Sequence, residues 1–328
     1  MAEPFVNGVS PSRAIEGGRV TLAGDFGDAG LFPDVQIQGR PARTVFASPK
    51  RLAVIIPSGI FDGGFSSISL GDATSKQGLE LGVTIATGLH QVDNPLIDRA
   101  GNVYLTYSGT RGQQVPVSIF RVAPNGSRET YSSSVVNPTS MAMDADGRLY
   151  VSSRFEGAVY RLGDDGSAEP YATDLGIATG LAFSPDGSLF VGDRSGTIFS
   201  VDRSGKATVF ASLPSSVAAF HLALGASGLY VAAPTLSAYD VIYHVGFDGA
   251  VSTYSRAFGR PQGIAVGPDG SLFVVEALAG ASGLYRVTPD AASELVVAGT
   301  GLIGLAFGPR GSIVVCSSDT AYRFGALS

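Results

Sequence analysis

Leu181-Ala182-Phe183-Ser184-Pro185-Asp186-Gly187-Ser188-Leu189-Phe190 reads as an apolar strand, a tight turn and a second apolar strand. The Asp-Gly pair suits such a turn because glycine takes positive φ without a Cβ clash. Variants of the phrase run from Pro95 to Tyr104, Met141 to Tyr150, Leu222 to Tyr230, Ile264 to Phe273 and Leu305 to Val314, making six copies. Their glycines, Gly101, Gly147, Gly187, Gly228, Gly270 and Gly311, are separated by 46, 40, 41, 42 and 41 residues. That period accommodates four short strands. The second half of the unit recurs too, as Gly157 to Leu162, Gly196 to Val201 and Gly283 to Val287. A four-stranded unit cannot bury both faces alone, so the six are expected to close into a ring, a six-bladed β-propeller over 86–328.

Composition agrees with an all-β chain. Gly 44 and Pro 18 in 328 residues fall between short runs of Val, Ile, Leu, Phe and Tyr, which is the pattern of many strands joined by turns. A net charge of −6 with only 15% charged residues disfavours a surface built to neutralise phosphates. The first 84 residues hold seven basic and eight acidic side chains, so no basic domain is concealed and no nucleic-acid partner is expected. No apolar run is long enough to span a bilayer, and the opening Met1-Ala2-Glu3-Pro4 is unlike a secretory leader. The chain as written therefore reads as cytoplasmic, or extracytoplasmic if a leader was removed. The single cysteine, Cys316, lies in the apolar run from Ile313 and reads as a small buried hydrophobe.

Residues 1–85 are a separate all-β unit. Val9-Ser10-Pro11, Glu16-Gly17-Gly18, the run Val20 to Phe26 and Ile56-Pro57 resemble the TIG family of immunoglobulin-like β-sandwiches. The resemblance implies an accessory or spacer domain, with a protein partner as a further role. The repeat region resembles the six-bladed propellers that include NHL repeats, the senescence marker protein and gluconolactonase family, strictosidine synthase-like proteins and the streptogramin lyases. In these folds function sits where blade ends converge at one mouth of the central channel.

Two rings of residues are expected at that mouth. Asp93, Thr139, Thr179, Phe220, Gln262 and Ile303 precede the aligned inner-strand position, which holds Asn94, Ser140, Gly180, His221, Gly263 and Gly304. Tyr107, Arg154, Asp193, Arg194 and Glu276 follow the second strands, and Arg260 lies close by in sequence. The loops from Tyr107 to Pro116, with Arg111, and from Ala233 to Asp240, with Tyr239, are long and polar enough to cap the channel.

Resemblance to gluconolactonases implies a divalent cation such as Ca²⁺ on Asp93, which precedes Asn94-Pro95 as the family's acidic ligand precedes a proline; Asn94 and Asn137 would assist. The family's other ligand positions fall on Thr179 and Gln262, weaker donors than its Asn and Asp. His221 is either a general base or an imidazole bonded to neighbouring blade backbone. Arg154, Arg194 and Arg260 suit a carboxylate or phosphate on a ligand, or else ion pairs with Glu156, Asp193 or Asp240. His90 and His244 read as structural.

Three functions follow as expectations. One is a hydrolase of a small ester or lactone, with a sugar lactone as the family precedent, Asp93, Asn94 and Asn137 on the cation, His221 as base, and Arg154 or Arg194 orienting substrate. Another is a non-catalytic propeller that binds a small polar molecule or glycan. The third is a streptogramin-lyase-like lyase that pairs Glu276 with His221.

Overall fold

The structure, a computed structural model, describes residues 4–27, 32–60, 62–278, 280, 282–288 and 292–326. The start of the chain read above for a leader falls partly outside them, at residues 1–3. Among the described residues everything regular is strand except one 3₁₀ turn, Pro309–Gly311. No helix among the described residues is long and apolar enough to cross a membrane.

The repeat region is a β-propeller. Five four-stranded antiparallel sheets stand apart. Their innermost strands are Leu96–Ile97, Pro138–Met143, Ala178–Phe183, His221–Gly225 and Leu302–Phe307. The four strands from Pro261–Val266 to Ser293–Ala298 make the same meander but continue into a twelve-stranded sheet with the N-terminal segment. Second strands such as Leu149–Ser153 and Leu189–Asp193 are buried along their whole length, whereas the outermost Arg128–Ser132 is largely exposed. Apolar runs therefore sit near the axis and alternating ones at the rim.

The turn phrase behaves as its chemistry requires. Gly187 N donates to Ser184 O at 2.9 Å, the Asp186 carboxylate accepts from Ser188 N at 2.8 Å, and Gly187 lies at φ 89°. Gly270 takes the same conformation, φ 81°, with open space where a Cβ would stand. Gly270→Ala should accordingly cost about 1–2 kcal/mol through backbone conformation alone, measurable as a shift in urea midpoint with unchanged slope.

The last sheet is completed from the other end of the repeat region. Thr320–Phe324 pairs with Val83–Thr87, in register Thr320↔Thr87 and Arg323↔Val83. That strand straddles the boundary expected at 85/86 and serves as the outer strand of this sheet.

Residues up to 81 form strands around their own core of Val20, Leu22, Leu52, Ile68 and Leu79. The two-residue strand Arg13–Ala14 lies parallel to both Ala73–Leu81 and Ser293–Ala298 and joins the two regions. Beside it Ile15 is buried among propeller residues including Val275, Leu302 and Phe324. Ile15 N also donates to Ala298 O at 2.9 Å.

Candidate functional site

The inner strands differ at their channel ends. Those beginning at Pro138, Ala178, Pro261 and Leu302 each shift register over their first residues, between Pro138 and Met141, Ala178 and Leu181, Pro261 and Ile264, and Leu302 and Gly304. His221–Gly225 pairs regularly from His221↔Ala232, and the first sheet's inner strand is only Leu96–Ile97. Register sets where side chains point, and these two strands deliver a pair the others do not. His221 Nδ1 lies 2.5 Å from Asp93 Oδ1, with both side chains buried at 0% and 2% exposure. The carboxylate requires the proton on Nδ1. Nε2 is buried and has no hydrogen-bond partner.

Gln91 holds Asp93 in place, a role the sequence reading missed. Fully buried, it donates through Nε2 to Asp93 O at 2.9 Å and accepts from Thr106 N at 2.8 Å. The run Gln91-Val92-Asp93-Asn94, with three polar side chains ahead of Pro95, was the available signal.

A cavity of about 250 Å³ occupies the mouth. Thr139, Thr179, Gln262 and Ile303 line it, and the first and fourth sheets contribute Val92 and Ala219 rather than Asp93 and Phe220. Phe220 is instead core, at 0% exposure. Neither Asp93 nor His221 lines this cavity. Arg154 and Arg194 do. No described carboxylate forms an ion pair with either of them or with Arg260, so the pairs expected with Glu156, Asp193 or Asp240 are not made. Burial lowers the Arg154 guanidinium from its ordinary value, and the charge of Arg194 lowers it further. His90 is also lowered, first by burial and then by Arg154.

The threonine hydroxyls are committed: Thr179 Oγ1 donates to Gly192 O at 2.9 Å and accepts from Phe220 N at 3.0 Å, and Thr139 Oγ1 donates to Asn137 O at 3.3 Å.

Acids at the strand ends close the sheets. Glu276 accepts from Gly259 N at 2.7 Å, Arg260 N at 2.9 Å and Leu278 N at 2.6 Å. It makes no bond to His221, so the pairing expected for a lyase is not formed. Asp193 accepts from Ile177 N at 2.8 Å and from Ser195, and Asp240 from Thr235 N at 2.9 Å. Of the remaining candidates, Tyr107 meets His90 edge to face at 6.0 Å, while Arg111, Tyr239 and Arg260 are exposed outside the cavity.

The proposed cation ligands do not fit a metal. Asn94 Nδ2 donates to Ile264 O at 2.8 Å and its Oδ1 accepts from Leu305 N at 3.0 Å, stitching three inner strands together. Asn137 accepts from Gly112 N at 2.6 Å and donates to Thr110 O at 2.8 Å and to Ser108 O, fastening the 107–116 loop. With both amides spent and Asp93 on His221, a hard cation lacks the six or more oxygens it requires. Among the described residues no three His, Cys, Asp or Glu side chains converge as a metal site.

No protein-family model matches the chain, and no curated protein matches it. Solved structures do. An auxiliary nutrient binding protein from Bacteroides ovatus is similar over 98% of this chain and 98% of its own, at 14% identity and a TM-score of 0.56. A gluconolactonase from Xanthomonas campestris is similar over 73% of this chain and 87% of its own, at 16% identity and a TM-score of 0.60. A streptogramin B lyase is similar over 98% and 96%, at 14% identity and a TM-score of 0.53. At such identities the likeness is one of fold. The gluconolactonase and streptogramin lyase groups are thus among the proteins that share this architecture.

Proposed function

We propose that the chain is a ligand-recognition propeller that binds a small polar molecule at the channel mouth without transforming it. One observation carries the reading: the cavity offers hydrogen-bond donors, Arg154, Arg194 and Gln262, while the Asp93–His221 pair stands outside it. A site with donors and no accessible base or nucleophile can hold a ligand but has no group to move a proton. The full-length likeness to a nutrient binding protein supports the same reading. On this reading the 261–298 meander counts as the sixth blade, and the N-terminal unit is a TIG-type sandwich that braces it or engages a protein partner.

A second reading, a hydrolase of small esters or lactones, is favoured by the unpartnered Nε2 of His221, which an opening of the channel would present as a base oriented by Asp93. Its cation is set aside, since the ligands are engaged elsewhere.

Thermal shift against a library of small polar metabolites, glycans and lactones, with mass spectrometry of each hit, separates the two. A bound molecule recovered unchanged supports recognition; at a hundredfold its Kd it should stabilise the fold by about 2.7 kcal/mol. Conversion that disappears in His221→Ala or His221→Gln while the variant still unfolds cooperatively and binds the substrate would establish the hydrolase. An absence of any hit, neutral or anionic, would overturn both.

A further inference from the structure

We propose that the ligand of the channel mouth is a small organic acid whose carboxylate or phosphate oxygens bridge Arg154 and Arg194; this rests on the recognition reading above. In a chain of net charge −6, two guanidinium groups share one cavity of about 250 Å³ whose described walls hold no carboxylate. Neither makes a side-chain hydrogen bond or ion pair among the described residues, although acids as near in sequence as Asp193 and Glu156 were available. Asp193 is occupied by Ile177 N and Ser195, and the Glu156 carboxylate interacts with Tyr160.

Like charges lining one cavity, Arg154 partly buried and Arg194 exposed, repel each other unless an anion joins them. Burial, and then the charge of Arg194, lower the pKa of the Arg154 guanidinium from its ordinary value. The backbone places both deliberately: Arg154 N donates to Asn137 O at 3.4 Å and Arg194 N to Ile177 O at 3.1 Å, so each residue leaves its strand by the same bend. A guanidinium presents a planar fork of N–H donors matched to two oxygens of one oxyanion. The rest of the lining is Val92, Ile177, Val217, Ile303 and two alanines, with the Gln262 amide and the threonines Thr139 and Thr179, whose hydroxyls are already hydrogen-bonded to backbone. The apolar part of the walls lowers the local dielectric and strengthens an ion pair formed there. The walls also favour a ligand with an apolar or weakly polar body, one polar group for Gln262, and a size below that of drug-like molecules.

The test observes the arginines themselves. In the full chain labelled with ¹⁵N-arginine, the Nε–Hε resonances of Arg154 and Arg194, assigned from Arg154→Gln and Arg194→Gln, are followed while inorganic phosphate or acetate is added to tens of millimolar at constant ionic strength. Saturable shifts of both resonances, with affinity reduced about tenfold or more in either single variant, are expected. Lys206→Gln, an exposed cation in an outer turn, should leave the titration unchanged. Phosphate and acetate arms separate the two oxyanions. Resonances that stay still, or drift linearly without saturating, would overturn the acid while leaving the recognition reading intact if the library returns neutral ligands. Saturable anion shifts beside a library with no hits would uphold the arginine pair as an anion site and overturn only the neutral-ligand and hydrolase alternatives.

Discussion

His221→Ala is expected to lower stability by about 3–5 kcal/mol. The substitution strands the Asp93 carboxylate at 2% exposure, with its Oδ1 facing a void instead of a ring nitrogen 2.5 Å away. A buried ion that loses its partner keeps the full cost of leaving water. Asp93→Ala should cost less, because an imidazole can remain neutral where a carboxylate cannot be solvated. Asp93→Asn should cost least, since its amide oxygen still accepts from Nδ1. In the double variant the losses should fall well short of additive, with a coupling energy of about 0.5–3 kcal/mol. Urea unfolding of the four variants measures this directly, and additive losses would show that the two side chains do not act as a pair.

Gly263→Ala is expected to be comparably damaging, by about 3 kcal/mol or more. A Cβ there would stand 2.2 Å from Asn94 Oδ1, 2.6 Å from Ile303 O and 2.7 Å from Gly304 Cα. Two of these are backbone atoms, so no rotamer change relieves the overlap, and overpacking of this kind costs about 1–3 kcal/mol. Displacing Asn94 would further strand Ile264 O and Leu305 N, at about 1–3 kcal/mol for a buried group left unsatisfied. The contrast with Gly270→Ala is informative, because both glycines recur in the repeat for different reasons. Gly270 is needed for its φ and has empty space around it; Gly263 is needed for the nearness of the neighbouring strand. If the two alanines prove equal in cost, the close approach of the inner strands is wrong.

That distinction marks what could be read from the residues alone. The period of the turn phrase exposed the meander and the ring, and the small residues at one aligned position exposed where strands converge. The two arginines were also legible at the mouth, since each follows a second strand. The Asp93–His221 pair was not, because it depends on the regular pairing of His221–Gly225 and the brevity of Leu96–Ile97, against register shifts in the four other inner strands. Bulges leave little trace in composition. Nor could the roles of Glu276, Asp193, Asn94 and Asn137 be separated from ligation. An acid or amide at a strand end looks the same whether it faces a cation or closes on backbone N–H groups, as all four do here. The covalent distance from Arg13–Ala14 to Ser293–Ala298 likewise hid the strand that joins the N-terminal unit to the propeller.

The pairing of Val83–Thr87 with Thr320–Phe324 sets a clock on biosynthesis. When Thr87 leaves the ribosome, the strand that will hold it has not been translated, and Thr320 follows only after the whole repeat region. At ~5–20 residues per second the wait is on the order of ten to fifty seconds. Throughout it, the earlier sheets can form while the ring stays open, and the inner strands lack one neighbour. A ribosome that stalls before codon 320 therefore releases an unlatched ring with a free strand edge, a substrate for holdase chaperones and for proteolysis.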